Sequence, residues 1–274
     1  MPEWTPEVFE ADDGTVPFER FIAGLSDTKF AALDAAIAHV LAVRGIELTR
    51  TEWLKALGDG LHEFRVRHDA EEIAHMFGAD AAVLSSPPEA ILLRVFVHFY
   101  GQKVVLLLGG YDKAADPNKR RQQREIDQAR RLLTQFRERH RRTRAQTARP
   151  SKARAEAPSE GLTTLGEKPI MEPGGHHVAK VRSYDEVAAR RRNAMAPDAK
   201  AERDVFAEAY DIAMQVVALR ERAGLTQAEL AERTGIDQGD ISRIERGATS
   251  PTARTLQRIA EALDADVKLV ARVH

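Results

Sequence analysis

Residues Leu225–Pro251 read LTQAELAERTGIDQGDISRIERGATSP, and their spacing predicts two short helices joined by a tight turn. Thr226 and Glu229 form a capping box, in which each side chain satisfies the other residue's backbone N–H, so a helix begins at Gln227. Ala228, Leu230 and Ala231 supply its apolar stripe, and Gly235 supplies the left-handed residue that ends it. Asp237 caps a second helix that runs to about Arg246, where Gly247 stops it. Only a tight turn separates the two, the spacing of a helix-turn-helix rather than of independent helices. Ser250 and Pro251 offer a cap and a first-turn proline for a further helix, with Leu256, Ile259, Ala260 and Leu263 inward. Upstream, Ile212–Ala223, stopped by Gly224, reads as the first helix of the same unit. Ile236, Ile241 and Ile244 are expected in its core, and Glu245 in an ion pair with Arg233 or Arg254.

This pattern, from about Ile212 to Leu263, resembles the Xre/Cro-repressor family of helix-turn-helix domains. The resemblance implies that the second helix of the motif enters the major groove of DNA. Carried over by position, the base readers are Gln238, Asp240, Ser242 and Arg243, with Gln238 suited to adenine and Arg243 to guanine or a phosphate. Gln227 would anchor a phosphate at the start of the preceding helix. Asp240 has two readings: an acceptor for cytosine, or an acid favoured by the helix dipole. A homodimer on a palindromic operator is the expected arrangement. The tail Val267–Val273 alternates like an edge strand that would help such a dimer form.

With 274 residues the chain is long enough for two modest domains, and its formal charge of −1 conceals a strong internal asymmetry. The absence of cysteine excludes disulfides, thiolate chemistry and cysteine-bound zinc. No apolar run suggests a signal peptide or a membrane span, so the expectation is a cytoplasmic protein with no membrane partner. Residues 143–180 lose apolar periodicity and gain Pro, Gly, Ala, Ser and charge, as a flexible linker does. His176–His177 within it reads as a chance pair rather than a metal site, and Met171 as an internal start or the relic of a separate gene. Order resumes at Ser183 and Glu186, a second capping box, and Pro197 restarts a helix through Phe206, Tyr210 and Met214. The expected organisation is an N-terminal domain over 1–142, the linker, a helical extension over 181–211, and the helix-turn-helix unit over 212–274.

In the N-terminal domain, Pro17–Leu25 and Asp27–Gly45 read as amphipathic helices. Strands are expected at Leu61–Arg67, Ala90–Tyr100 and Lys103–Tyr111, the last two joined by a Gly101–Gln102 hairpin turn. A long helix beginning near Asn118 carries Ile126, Ala129, Leu132, Leu133 and Phe136 on one face. Two helices, an antiparallel sheet and a last helix make a small α+β domain beside an all-α C-terminal one. Period-two alternation sets Glu63, Arg65 and Arg67 on one face of the first of these strands, and Arg94, Phe96 and His98 on one face of the next. One sheet face thus gathers Arg65, Arg67, Arg94, His98, Tyr111 and Lys113, and Lys119, Arg120, Arg121 and Arg124 extend the positive charge. A basic face with aromatics suits RNA, while a solvated strand face is the plainer alternative.

The stretches GLHEFRV, LLRVFVHFYGQKVVLLLGGYDK and ADPNKRRQQREIDQARRLL resemble the RelE/HigB-like toxins of bacterial toxin–antitoxin systems, particularly the phage-derived Gp49-like branch. The helix-turn-helix half with its helical extension resembles the HigA-like antitoxin, and the order of the halves matches a common order of the two genes. These resemblances imply a fused pair: a RelE-like, ribosome-dependent mRNA endoribonuclease and the antitoxin that blocks it and represses its operon. Contact between the halves, within one chain or between chains, is then expected. Such cleavage needs a base for the ribose 2′-OH, a cation for the phosphate and an acid for the leaving 5′-oxygen, with no metal or other cofactor. Arg65 and Arg94 take the phosphate role, Lys113 or Tyr111 the acid–base roles, and His98 stands as a further candidate. Gly109–Gly110 places no side chain where some relatives carry histidine. The alternatives are a transcriptional regulator with a catalytically inactive toxin-like module, and a ParE-like gyrase inhibitor.

Overall fold

A computed structural model of the chain describes residues 3–77, 88–147 and 180–268. Met171, His176, His177 and most of the expected linker lie outside these residues, as does the tail beyond Lys268. Six strands form one sheet in the order β2-β3-β4-β5-β1-β6. They are β1 (Thr5–Phe9), β2 (Leu54–Gly58), β3 (Leu61–His68), β4 (Ile91–Tyr100), β5 (Val104–Asp112) and β6 (Val181–Ser183). The sheet is mixed rather than antiparallel throughout, because β1 runs parallel to β5. A parallel neighbour is joined through distant sequence and leaves no hairpin signal, which is why Thr5–Phe9 escapes a local reading. β6 then pairs antiparallel with β1, Val8 opposite Arg182, so a strand of the C-terminal half completes the sheet of the N-terminal one.

The helices follow in order: α1 (Pro17–Ala23), then α2 (Asp27–Ala36), which continues through a π turn at Ile37–Leu41 into α3 (Ala42–Arg44). After these come α4 (Ala70–Phe77) and α5 (Lys119–Thr147), the latter running past the boundary expected at 143. The C-terminal half contributes α6 (Tyr184–Ala194), α7 (Pro197–Arg222), α8 (Gln227–Thr234), α9 (Gln238–Glu245) and α10 (Ala253–Ala262). Thr226 and Glu229 make the reciprocal capping box at α8, and Gly235 ends that helix at φ 63°. α10 starts two residues later than Ser250–Pro251 suggests, because the Thr252 hydroxyl accepts from the Thr255 N–H and caps it there.

Alternation along the strands sorts the core into two layers. One sheet face carries Phe64, Val66, Leu93, Val95, Val97 and Leu107, which pack with Phe30 and Leu33 of α2 and with Phe206 and Tyr210 of α7. The other carries Leu61, Phe96, Leu106 and Tyr111 against Ala129, Leu133 and Phe136 of α5. A bulge in β5 shifts the register, so that Phe96 opposes Gly109 while Val97 opposes Leu107. That extra residue swings Tyr111 onto the face of its partner Arg94; an unbroken period of two from Val104 would put it on the other face.

The C-terminal half is therefore built into the first core layer, and polar contacts fix its register. Asp34 is fully buried and accepts from Tyr184 Oη at 2.6 Å, Arg192 Nη2 at 2.7 Å and Arg203 Nε at 2.5 Å. Burial pushes the Asp34 carboxyl up, but the hydrogen bonds from Arg192, Tyr184 and Arg203 hold it below the ordinary value. Asp27 pairs with Arg191 at 2.6 Å, His39 meets Asp211 at 2.8 Å, and Arg44 pairs with Glu221.

Candidate functional site

β3, β4 and β5 bring Arg65, Arg94 and Tyr111 into one cross-strand row, Arg65 opposite Arg94 and Arg94 opposite Tyr111. Beside the row Glu63, only 1% exposed, takes Arg65 Nε on its Oε1 at 2.8 Å, with Arg94 Nε 3.5 Å from the same oxygen. Glu63 shares the alternating face of Arg65 and Arg67, so its place is legible in the sequence, yet a search for cations passes over it. Burial lowers the affinity of Arg94 for its proton and Glu63 partly restores it; a guanidinium stays charged under either influence.

A cavity of about 210 Å³ opens over these residues, lined by Glu52, Trp53, Arg65, Arg67, Arg94 and Arg246. Five of the six belong to the N-terminal half; Arg246 is the residue that follows α9. Its guanidinium lies 3.6 Å from Glu52 and 3.3 Å from Glu72, and Arg67 shares Glu52 at 2.7 Å. Next to it the Trp53 indole N–H donates to the Glu245 carbonyl at 3.0 Å, which ties the end of α9 to the segment before β2.

The remaining candidates of this half are spread more widely. Tyr111 is 2% exposed, its buried hydroxyl has no hydrogen-bond partner among the described residues, and the residue lines a second cavity of about 400 Å³ shared with Phe21, Arg121 and Glu125. Burial and the nearby Glu63 charge push its pKa up to about 12. His98 stands opposite Leu61 near the far end of β4, hydrogen-bonded to the Gly60 carbonyl at 2.8 Å and stacked on Tyr100. It lies four residue steps along β4 from Arg94, roughly 13 Å at strand rise, and burial lowers its pKa. Lys113 lines neither cavity; its N–H donates to Leu92 at the end of the β4–β5 ladder. Lys119, Arg120 and Arg124 are exposed on the first turns of α5, whereas Arg121 pairs with Asp116 at 3.4 Å and Glu125 at 3.6 Å.

In the C-terminal half Leu225, Leu230, Ile241, Ile244, Ile259 and Leu263 form a small core of their own with Val216 of α7. Glu245 pairs with Arg220 rather than with Arg233 or Arg254: Nε to Oε1 is 2.5 Å and Nη2 to Oε2 is 3.0 Å. Arg220 lies in the last turn of α7, where the packing of α7 on α9 decides the partner and local spacing does not. Gln227 donates to Glu245 Oε2 at 2.8 Å, so its amide is engaged within the motif. Gln238 opens α9 and is exposed, Asp240 pairs with the exposed Arg243, and Ser242 is half-buried. Among the described residues no helix is long and apolar enough to cross a membrane, and no group of three or more His, Asp or Glu is placed to hold a metal.

Comparisons with known proteins bear on the C-terminal half. Residues 216–269 match the family model HTH_3, described as helix-turn-helix. Antitoxin HigA1 of Mycobacterium tuberculosis (strain ATCC 25618 / H37Rv) is 41% identical over 66 residues, 24% of this chain and 44% of that protein. The uncharacterized HTH-type transcriptional regulator y4dL of Sinorhizobium fredii (strain NBRC 101917 / NGR234) is 39% identical over 61 residues, 22% of this chain and 31% of the relative. Its companion y4dJ is 47% identical over 45 residues, 16% of this chain and 58% of the relative. The chain thus spans less than half the length of HigA1. No solved structure matches. Residues 216–269 form a helix-turn-helix domain similar to that antitoxin and to those regulators.

Proposed function

We propose that the chain is a fused toxin–antitoxin protein. Its N-terminal half is a RelE/HigB-like mRNA endoribonuclease acting on the ribosome, and its C-terminal half is a HigA-like antitoxin that masks it and binds operator DNA as a homodimer. The observation that carries this reading is Arg246, which a helix-turn-helix recognition helix delivers into the cavity of Arg65, Arg67 and Arg94. Glu52 and Glu72 hold it there. An RNA phosphate approaching these arginines would have to displace it.

The chemistry runs without a metal because RNA carries its own nucleophile. The 2′-oxygen attacks the adjacent phosphorus and the P–O5′ bond breaks, leaving a 2′,3′-cyclic phosphate and a 5′-OH. One proton leaves O2′ and one reaches O5′. Arg65 and Arg94 offer charged donors to the phosphorane oxygens. Tyr111, with a pKa near 12, suits the acid and not the base. Glu63 and Lys113 are the groups left for the base. Arg67, Lys119, Arg120, Arg121 and Arg124 serve the flanking phosphates.

Expression of residues 1–147 in a bacterial host should arrest growth and leave codon-phased breaks in translated mRNA by primer extension. Co-expression of 180–274 should prevent both. Since α7 completes the core of the N-terminal half, full-length Arg246→Ala is the companion test, expected to raise cleavage with the fold intact. A soluble, folded fragment and an Arg246→Ala chain that both leave mRNA whole would refute the endoribonuclease. The buried Tyr111 hydroxyl and the bare Gly109–Gly110 favour, in that event, a DNA-binding regulator with an inactive toxin-like module.

A further inference from the structure

We infer that Arg50, in the N-terminal half, is a phosphate contact of the DNA-binding surface, so that both halves grip one DNA backbone. The inference rests on reading the helix-turn-helix domain as a DNA binder. A cavity of about 380 Å³ joins Arg50, Thr51 and Glu52 to Thr226, Gln227 and Gln238. Gln227 and Gln238 are the first residues of α8 and α9, and helix-turn-helix domains present these two ends to the phosphates and the bases.

Among the described residues, the charges around this cavity leave one cation to spare. Arg220, which also lines it, is bound to Glu245. Glu52 is taken by Arg67 and Arg246, and Glu229 by its capping box with Thr226. Arg50 is exposed and has no hydrogen-bond or ion-pair partner among the described residues. The positive end of α8 lies on the same cavity, and a phosphate there would be favoured by both.

The position of Arg50 is set from both sides. It ends a 3-10 turn, Gly45–Arg50, that begins at φ 51°, and a Cβ on Gly45 would fall 2.2 Å from the Trp4 ring. After it, the Thr51 hydroxyl donates to the Leu48 carbonyl at 2.7 Å and accepts from the Trp53 N–H at 3.2 Å. Trp53 in turn is hydrogen-bonded to the last carbonyl of α9. The backbone that carries Arg50 is therefore registered to the recognition helix before DNA arrives, which lowers the entropy lost on binding.

The test uses the full chain and a duplex that it enriches from a random pool, with affinity measured across salt. One phosphate contact adds about 0.9 to the slope of log K against log salt. The advantage of the wild-type chain over Arg50→Ala should therefore shrink by about 3.5-fold between roughly 50 and 200 mM salt. The preference for the enriched duplex over a scrambled one should stay the same, and Arg50→Lys should keep the wild-type slope. Arg131→Ala removes an exposed arginine from α5, on the other face of the sheet, and should leave the slope alone. A slope unchanged by Arg50→Ala, or lowered equally by Arg131→Ala, overturns the inference while DNA binding stands. A chain that enriches no sequence and binds no duplex takes both readings down.

Discussion

Replacing His68 with glutamine removes a single titrating group from the junction of the two halves. His68 is fully buried, 2.8 Å from the Tyr210 hydroxyl and stacked on the Tyr210 ring. Burial lowers its pKa from 6.5 to about 3, Arg246 and Arg67 add to the depression, and Asp69 opposes it. In the unfolded chain the same imidazole takes its proton near pH 6.5, whereas the folded chain keeps it neutral down to about pH 3. The stability this group contributes is therefore whole above pH 6.5 and is lost as pH falls from there toward 3. Each pH unit below 6.5 removes about 1.4 kcal/mol. At pH 5 the loss is about 2 kcal/mol, and it depends little on the folded value so long as that lies below 5. Urea unfolding followed by tryptophan fluorescence includes this contact, since the Trp53 indole meets Tyr210 edge-on at 5.3 Å. Between pH 7 and 5 the wild-type chain should lose about 2 kcal/mol more than His68→Gln. His62 and His98 are depressed by burial too, but they are common to both proteins and cancel in the difference. Equal losses in the two chains would refute a neutral, buried His68.

Asp34→Ala leaves Arg192 and Arg203 without their carboxylate and should cost about 3 kcal/mol, read from the denaturation midpoint; the two arginines are part-exposed, which sets the value at the low end for a severed buried pair. Gly110→Ala would place a Cβ 2.6 Å from Phe21 and 2.7 Å from the Arg94 carbonyl, so the melting temperature should fall by the equivalent of about 1–3 kcal/mol; an unshifted melt would mean that α1 can slide off β5. Arg220→Ala leaves Glu245, 3% exposed, without its guanidinium, and amide exchange in α9 should rise together with a loss of DNA affinity.

Features whose cause is local are legible in the sequence. The capping box at Thr226, the left-handed Gly235 and the Asp237 cap name their helices because each is a contact within a few residues. Glu63, Arg65 and Arg67 share one face of β3 for a similar reason, since alternation needs only the strand itself, whereas Arg94 joins them through the pairing register of β3 with β4. What stayed hidden depends on distant partners. β1 pairs in parallel with distant β5 and has no hairpin to announce it, and β6 is a strand only because β1 offers it an edge. β2 is the exception, since the Asp59–Gly60 turn that joins it to β3, both residues at positive φ, is a local signal. Arg246 reads as the end of a recognition helix, and nothing near it in sequence points to Glu52, Glu72 or the arginines of β3 and β4. The engaged amide of Gln227 is hidden likewise, because its partner Glu245 is reached only after α8 and α9 pack.

The path from masked to unmasked is narrowed by α7. It is one continuous helix of 26 residues, with Phe206 and Tyr210 in the core of the N-terminal half and Val216 in the core of the helix-turn-helix. No loop lies between those two duties to serve as a hinge. Lifting Arg246 from its cavity as a rigid body would drag Tyr210 away from Trp53 and His68. Exposing Phe206 and Tyr210 alone costs about 3–6 kcal/mol, and removing Asp34 from its arginines adds about 3 more. A population opened by thermal motion would then be on the order of one chain in 10⁴ to 10⁶. On this argument a change that only loosens Arg246 frees the cavity locally, while full release requires the C-terminal half to unfold or be cut away. Limited proteolysis of the wild-type chain, with Arg246 in place, coupled to mRNA cleavage decides the matter: activity that rises in step with loss of α7 fits, and activity of that chain that rises while α7 stays protected does not.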